Sequence, residues 1–187
     1  MASRRNWLWS LGCLGLGSLL WGGGMMSESA IAAERIVLVS GAWRRSVSIE
    51  DITTFVETGE TSPGLDEYFQ TTKHDPTVVI LMLTSPVTAD LSLLDQALNN
   101  ILGEVFLDQL GTMIRTPADR SNREALRSAL ILSAKDDNQV SLLELMQNYP
   151  TQEIWVDGDR LAEANRLLQK VTSLIRPVGE IFNILVK

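Results

Sequence analysis

Arg115, Arg120, Arg123 and Arg127 fall close together on a chain whose formal net charge is −7. A guanidinium presents its N–H donors as a planar fork, a geometry that grips a carboxylate or phosphate through parallel bonds. The four flank the loop TPADRSN (residues 116–122) and the start of the segment that follows. Together they form a candidate ligand-binding site for an anionic head group. Asp119 and Glu124 are interleaved with them, and a structural ion-pair network is the plainer reading of the same residues.

The only histidine is His74, in TKHDP (residues 72–76). Beside Asp75 it could act as a general base or a ligand; the plainer reading is a histidine in a surface loop. Zinc usually takes a full set of nitrogen or sulfur ligands, and one histidine with one cysteine does not supply them. Paired acids occur at Glu50-Asp51, Asp66-Glu67, Asp136-Asp137 and Asp157/Asp159. Such pairs could bind calcium or do acid–base work, but each sits where helix capping or a loop accounts for it. KDDNQVSLLE (residues 135–144) lacks the glycine of an EF-hand loop. The chain has no G-x-S-x-G, no Walker motif and no G-x-G-x-x-G. We therefore assign no catalytic residue and no metal ligand, and expect no cofactor. Trp43 and Trp155 read as partly buried core, with ligand stacking as the alternative.

An acidic balance argues against nucleic acid and anionic membrane surfaces, which need an excess of Lys and Arg. The first third is uneven. Arg4 and Arg5 precede the uncharged run NWLWSLGCLGLGSLLWGGGMM (residues 6–26), and small residues follow. A positive start, an apolar middle and small residues at a cut site make the pattern of a secretory signal peptide. The expected leader is residues 1–33, cut at Ala32 or Ala33, leaving a domain over 34–187 in the periplasm or outside the cell. The apolar run is short for a bilayer span; a retained anchor is the alternative, and a faint lipoprotein-box pattern ends at Cys13. After cleavage no stable membrane insertion is expected. SRRNWL (residues 3–8) resembles a twin-arginine export signal, but nothing downstream asks for a cofactor, so general secretion is slightly favoured. Cleavage would also remove the only cysteine, and a core without disulfides must then hold the domain together.

The elements that must position these side chains are mostly helical. ERIVLVS and RRSVSI suit a β-hairpin over 35–48. Ser48, Ser62-Pro63 and Asp75-Pro76 carry helix-start signals, and Gly59 a stop. TVVILMLTS (residues 77–85) has strand propensity, yet its helix-style start favours a short buried helix. Leu102, Phe106, Leu110, Met113 and Ile114 form a stripe on one helix, and Leu126, Ala129, Leu130 and Ala134 on the next. Ser141 and Glu144 fit a capping box before LLELMQNY. EIWVD (residues 153–157) is a short strand placed to join the hairpin. Asp157 or Asp159 then caps a last long helix carrying Leu161, Ala164, Leu168, Val171 and Ile175, which Pro177 kinks or stops before an apolar tail over 178–187. The expected fold is mainly α: a multi-helix domain with a small two- or three-stranded sheet made by the N-terminal hairpin and the late strand.

ERIVLVSG, RSVSIEDITTFVETGETSPGL, TSPVTADL, LDQLGTMIRTP, ALRSALILSA, SLLELMQNYP and IWVDGDRLAEANRLLQ, in that order, resemble a cyanobacterial domain of unknown function. That domain follows a signal peptide and often precedes an α/β-hydrolase domain of the dienelactone-hydrolase or lipase-like type. The resemblance covers about residues 34–174. The stretch YFQTTKHDPTVVILMLTSP is less charged than the family's version. With the sequence ending at Lys187, a hydrolase domain is expected to be missing. The resemblance implies an exported, non-catalytic helical module, an interaction or accessory domain whose expected partner is a separate α/β-hydrolase. Two alternatives stand beside it: a carrier of a small anionic or lipid ligand, and a hydrolase-family enzyme with an unrecognised site near His74.

Overall fold

The computed structural model describes residues 32–176. The expected leader, apart from Ala32 and Ala33, and the expected apolar tail lie outside those residues. The chain opens with β1 (Arg35–Ser40), β2 (Trp43–Ser48), α1 (Ile49–Thr58), α2 (Pro63–Thr72) and α3 (Pro76–Thr84). It continues through β3 (Val87–Thr88), α4 (Leu91–Leu98), α5 (Ile101–Gly111), β4 (Ile114–Arg115) and α6 (Asn122–Ala134). It closes with β5 (Gln139–Val140), α7 (Leu142–Gln147), β6 (Glu153–Asp157) and α8 (Leu161–Gln169). The mainly helical class and the hairpin are as expected.

The sheet is larger than expected. β1 pairs antiparallel with β2 and parallel with β6, and β4 adds antiparallel to the far side of β6, giving the order β2-β1-β6-β4. β3 and β5 form a second, two-stranded sheet. β3, β4 and β5 have two residues each, too few to carry a period-two pattern. Only tertiary contact makes them strands. Along β1 and β6 the side chains alternate. Ile36, Leu38, Ile154 and Val156 are buried on the inner face, where they meet Ile52, Phe55 and Leu65 from α1 and α2.

Local capping explains most helix starts. Ser48 Oγ accepts from the Asp51 amide at 2.9 Å, and Gly59 closes α1 at φ 79°. Asp75 accepts from the Thr77 amide at 2.8 Å, so the apolar run after Pro76 is the short helix α3. Ser141 and Glu144 make the full reciprocal capping box of α7. Ser62 departs from expectation: its hydroxyl caps nothing and is buried without a partner among the described residues, leaving Pro63 to start α2. Asp157 caps a 3-10 turn, Gly158–Arg160, rather than the last helix itself. That helix is interrupted at Lys170 and resumes over 171–176, with Val171 and Ile175 buried as the pattern required.

The α6 stripe is buried as expected, and so is the α5 stripe at Phe106, Leu110, Met113 and Ile114; Leu102 departs from it. Leu102 is 64% exposed, beside Ile101 at 80% and Val105 at 60%. The inward set is Gly103, Phe106, Leu107 and Leu110. Gly103 is the cause. A Cβ there would lie 2.1 Å from the Ala97 carbonyl oxygen and 2.6 Å from Leu98 Cα. α5 thus rests on the end of α4 through its glycine, and this turns the preceding apolar pair outward.

Arg123 ties α6 to α5. Its Nε and an Nη donate to Asp108 at 2.8 and 2.6 Å, and its other Nη lies 2.9 Å from Glu104. These hydrogen bonds, helped by the guanidinium charge, hold the Asp108 carboxyl below the ordinary aspartate range against an opposing effect of burial. Arg123 is held correspondingly above its own. The pair is solvent-exposed, so it positions more than it stabilises.

Two outcomes follow from this packing. Helix propensity alone would have Gly103→Ala stabilise by about 1 kcal/mol. The backbone clash reverses the sign, and urea denaturation should show a loss of about 1–3 kcal/mol. Replacing Arg123 with Gln should raise the Asp108 carboxyl midpoint in a carbon-detected NMR titration. Because that carboxyl is depressed in the folded state, its contribution is present above the unfolded value and fades as pH falls through the folded one. The variant should therefore lose less stability over that acid range than the parent.

Candidate functional site

The four arginines are not brought to one site. Arg123 is the α5–α6 clamp. Arg127 sends an Nη to the Leu98 carbonyl at 3.1 Å, closing the end of α4, while its Nε is buried without a partner among the described residues. Arg115 stands on β4 at the sheet edge, 3.5 Å from Asp119. Arg120 sits in the loop between β4 and α6. Arg115 and Arg123 have acidic partners, and Arg127 has a backbone carbonyl instead.

Arg120 is held by its loop. Buried Thr116 accepts from the Arg120 amide at 3.2 Å and donates to the Arg120 carbonyl at 2.8 Å. The Thr116 amide donates to Asn122 Oδ1 at 2.9 Å. Asp119 and Ser121, on either side, take positive φ values of 51° and 54°. Such conformations cost on the order of 1 kcal/mol or more each for residues other than glycine. Arg120 lines an open groove of about 980 Å³ whose walls include Arg35, Pro117, Glu124, Pro150 and Glu153. With two arginines and two glutamates the groove is balanced in charge.

That groove runs onto the outer face of the four-stranded sheet. Strand alternation puts Arg35, Val37 and Val39 of β1, Arg44 of β2, Arg115 of β4 and Glu153, Trp155 and Asp157 of β6 on this side. Val37, Val39 and Trp155 are only half-buried, against complete burial of Ile36 and Ile154 beneath them. Trp155 is the centre. The Arg44 guanidinium carbon lies 4.9 Å from its ring centroid and that of Arg115 lies 5.1 Å away, from strands on opposite sides of β6. Cations at this range are drawn to the negative π face. Its indole N–H donates to Glu153 at 3.1 Å. The strand EIWVD showed Trp155 near the sheet; which strands would bring arginines to it depends on β4, which the sequence pattern did not reveal.

His74 is not a plain surface histidine. It is half-buried, with Nδ1 2.8 Å from Tyr68 Oη. Tyr68 Oη also donates to the Gly158 carbonyl at 3.3 Å. Tyr68 packs against Trp43, Phe69 and His74 with ring centroids 5.3–5.7 Å apart. Burial, and then the nearby charge of Asp159, push the Tyr68 hydroxyl up to about 12, so it is a neutral donor at ordinary pH. Lys73 closes α2 in the left-handed conformation, φ 59°, and so turns His74 back toward Tyr68. The signal for this pair was a tyrosine six residues before the histidine, but its third member, Gly158, is distant in sequence. Among the described residues no three His, Cys, Asp or Glu side chains gather as a metal site, and no helix is long and apolar enough to cross a membrane.

No curated protein matches the chain significantly, and no solved structure does. One family model does match, over residues 32–157, about two-thirds of the chain, spanning the whole sheet and the helices from α1 to α7. Its description is alpha/beta hydrolase of unknown function, DUF1400, and on this match the chain belongs to that family.

Proposed function

We propose that this domain is an exported, non-catalytic accessory module that docks onto a separate α/β-hydrolase through the outer face of its four-stranded sheet. The observation that carries the reading is Trp155, half-buried on that face between Arg44 and Arg115. Trp and Arg are the side chains most often found to dominate binding energy when an interface covers them. Arg35 and Arg120 extend the same surface. On a chain of net charge −7, these arginines favour an acidic patch on the partner and supply orientation. The class of partner rests on the sequence resemblance to domains that precede an α/β-hydrolase; the family's own description is alpha/beta hydrolase of unknown function. The absence of G-x-S-x-G from the sequence speaks for a non-catalytic role. Export rests on the sequence pattern of residues 1–33. Among the described residues, Ala33 is buried and the amides of Glu34 and Arg35 both donate to the Gln152 carbonyl, at 3.0 and 3.1 Å.

A second reading, a carrier of small anions, has the Arg35–Arg120 groove in its favour. Glu124 and Glu153 in the same walls weigh against it.

Calorimetry against an α/β-hydrolase exported by the same cell tests the first reading. The double variant Trp155→Ala, Arg44→Glu should weaken binding at least tenfold while leaving the unfolding midpoint within a few degrees, and the chain alone should turn over no ester. Undiminished binding by that variant would remove the sheet face from the proposal. Ester turnover by the chain that His74→Ala abolishes would overturn the non-catalytic role, and a bound organic acid in native mass spectra would favour the carrier.

A further inference from the structure

The Tyr68–His74 pair borders a second cavity, of about 220 Å³, lined by Lys73, His74, Asp75, Val78, Met82 and Asp159, among others. Val79 and Leu161 form part of its wall and also line a narrow apolar void deeper in the core, of about 30 Å³. Its walls carry both polar and apolar side chains.

The hydrogen bonds of the pair fix which ring nitrogen does what. Tyr68 Oη carries one proton, and Gly158 O can only accept. If Tyr68 donated to His74 Nδ1, its 3.3 Å contact with Gly158 O would hold no hydrogen. If His74 Nδ1–H donates to Tyr68, and Tyr68 donates to Gly158 O, both contacts are hydrogen bonds. The second arrangement makes two bonds from the same three groups. It leaves Nε2 of the neutral ring as a bare acceptor, without a partner among the described residues. Which nitrogen holds the proton is thus set by the bond the other makes. The protein is built around this: a Cβ on residue 158 would lie 2.7 Å from Tyr68 Oη, so only glycine admits the tyrosine.

Two carboxylates line the same cavity as His74. Asp75 uses one oxygen to cap α3, and Asp159 uses one to accept from Ser40 at 2.7 Å. In the cavity lining these two acids outnumber the one cation, Lys73. A site of acceptors and negative charge repels a carboxylate or phosphate and suits a head that donates and is positive. We infer that this cavity binds a small alkylammonium compound, its NH₃⁺ donating to His74 Nε2 and drawn by Asp159, its chain lying along Val78, Val79, Met82 and Leu161. This site is separate from the outer sheet face and does not depend on the docking proposal.

The test is an NMR titration of the ¹⁵N-labelled chain with n-butylammonium, n-butanol and n-butyrate, above the pH at which the imidazole is protonated. The His74 ring should report Nδ1 as the protonated nitrogen. Butylammonium should shift Nε2 saturably, butyrate should not, and butanol should bind at least tenfold more weakly. Asp159→Asn should weaken butylammonium about tenfold. Ala162→Phe, which fills the cavity from α8, should abolish binding; Val78→Trp, at a position 43% exposed on α3, does the same job should the first variant not fold. No saturable shift, an equal response to butanol or butyrate, or binding that survives a folded cavity-filling variant would each overturn the assignment.

Discussion

The parallel pairing of β1 with β6 sets Arg35 opposite Glu153 and Ile36 opposite Ile154, and almost every other feature of the domain hangs from it. The pairing brings the two ends of the matched region together and encloses the helices between them. It supplies the buried inner face on which α1 and α2 rest. It also places Trp155 beside Val37 and carries Gly158 back to Tyr68. Pairings between segments so far apart in sequence give a chain little local reward before they form. The α4–α5–α6 packing can form from neighbours in sequence, but the two candidate sites exist only once β1 and β6 have met.

Charge is distributed by the same logic. A chain with an excess of acids has few cations to spend, and the fold spends several on itself. Arg123 holds α5 to α6, Arg127 closes α4, and Arg160 pairs with Glu163 at the start of α8. Arg35, Arg44 and Arg120 lie on one side of the sheet, with Arg115 at its edge. On the outer face two guanidinium groups flank an indole. The cavity beside His74, on the inner side of the same sheet, has the opposite character. One short strand, β6 with its following turn, serves both surfaces.

Within the sequence, the helix starts were legible because capping is local chemistry: Ser48 with Asp51, Asp75 with Pro76, and Ser141 with Glu144 each act within one turn. The hairpin, the late strand and the α6 stripe were legible because periodicity reports which face is buried. Leu102 was misread for a reason of the same kind. A pattern of large apolar residues gives a glycine no weight, whereas the contact of α5 with α4 is made through Gly103. The arginine cluster was visible as composition, and its interleaved acids already hinted that the protein uses it internally.

What the sequence by itself determined is the class of fold, most element boundaries, the absence of a known nucleophile motif and the acidic balance. These rest on propensity, capping and composition, which need no distant partner. Tertiary structure alone decided the order of the sheet, the two-residue strands, the outward turn of Leu102 and the places where side chains converge. Arg44, Arg115 and Trp155 are far apart along the chain, as are Tyr68, His74 and Gly158. No local rule joins them. The β1–β6 pairing does, by bringing remote backbone into register and leaving one face of the sheet open and the other packed.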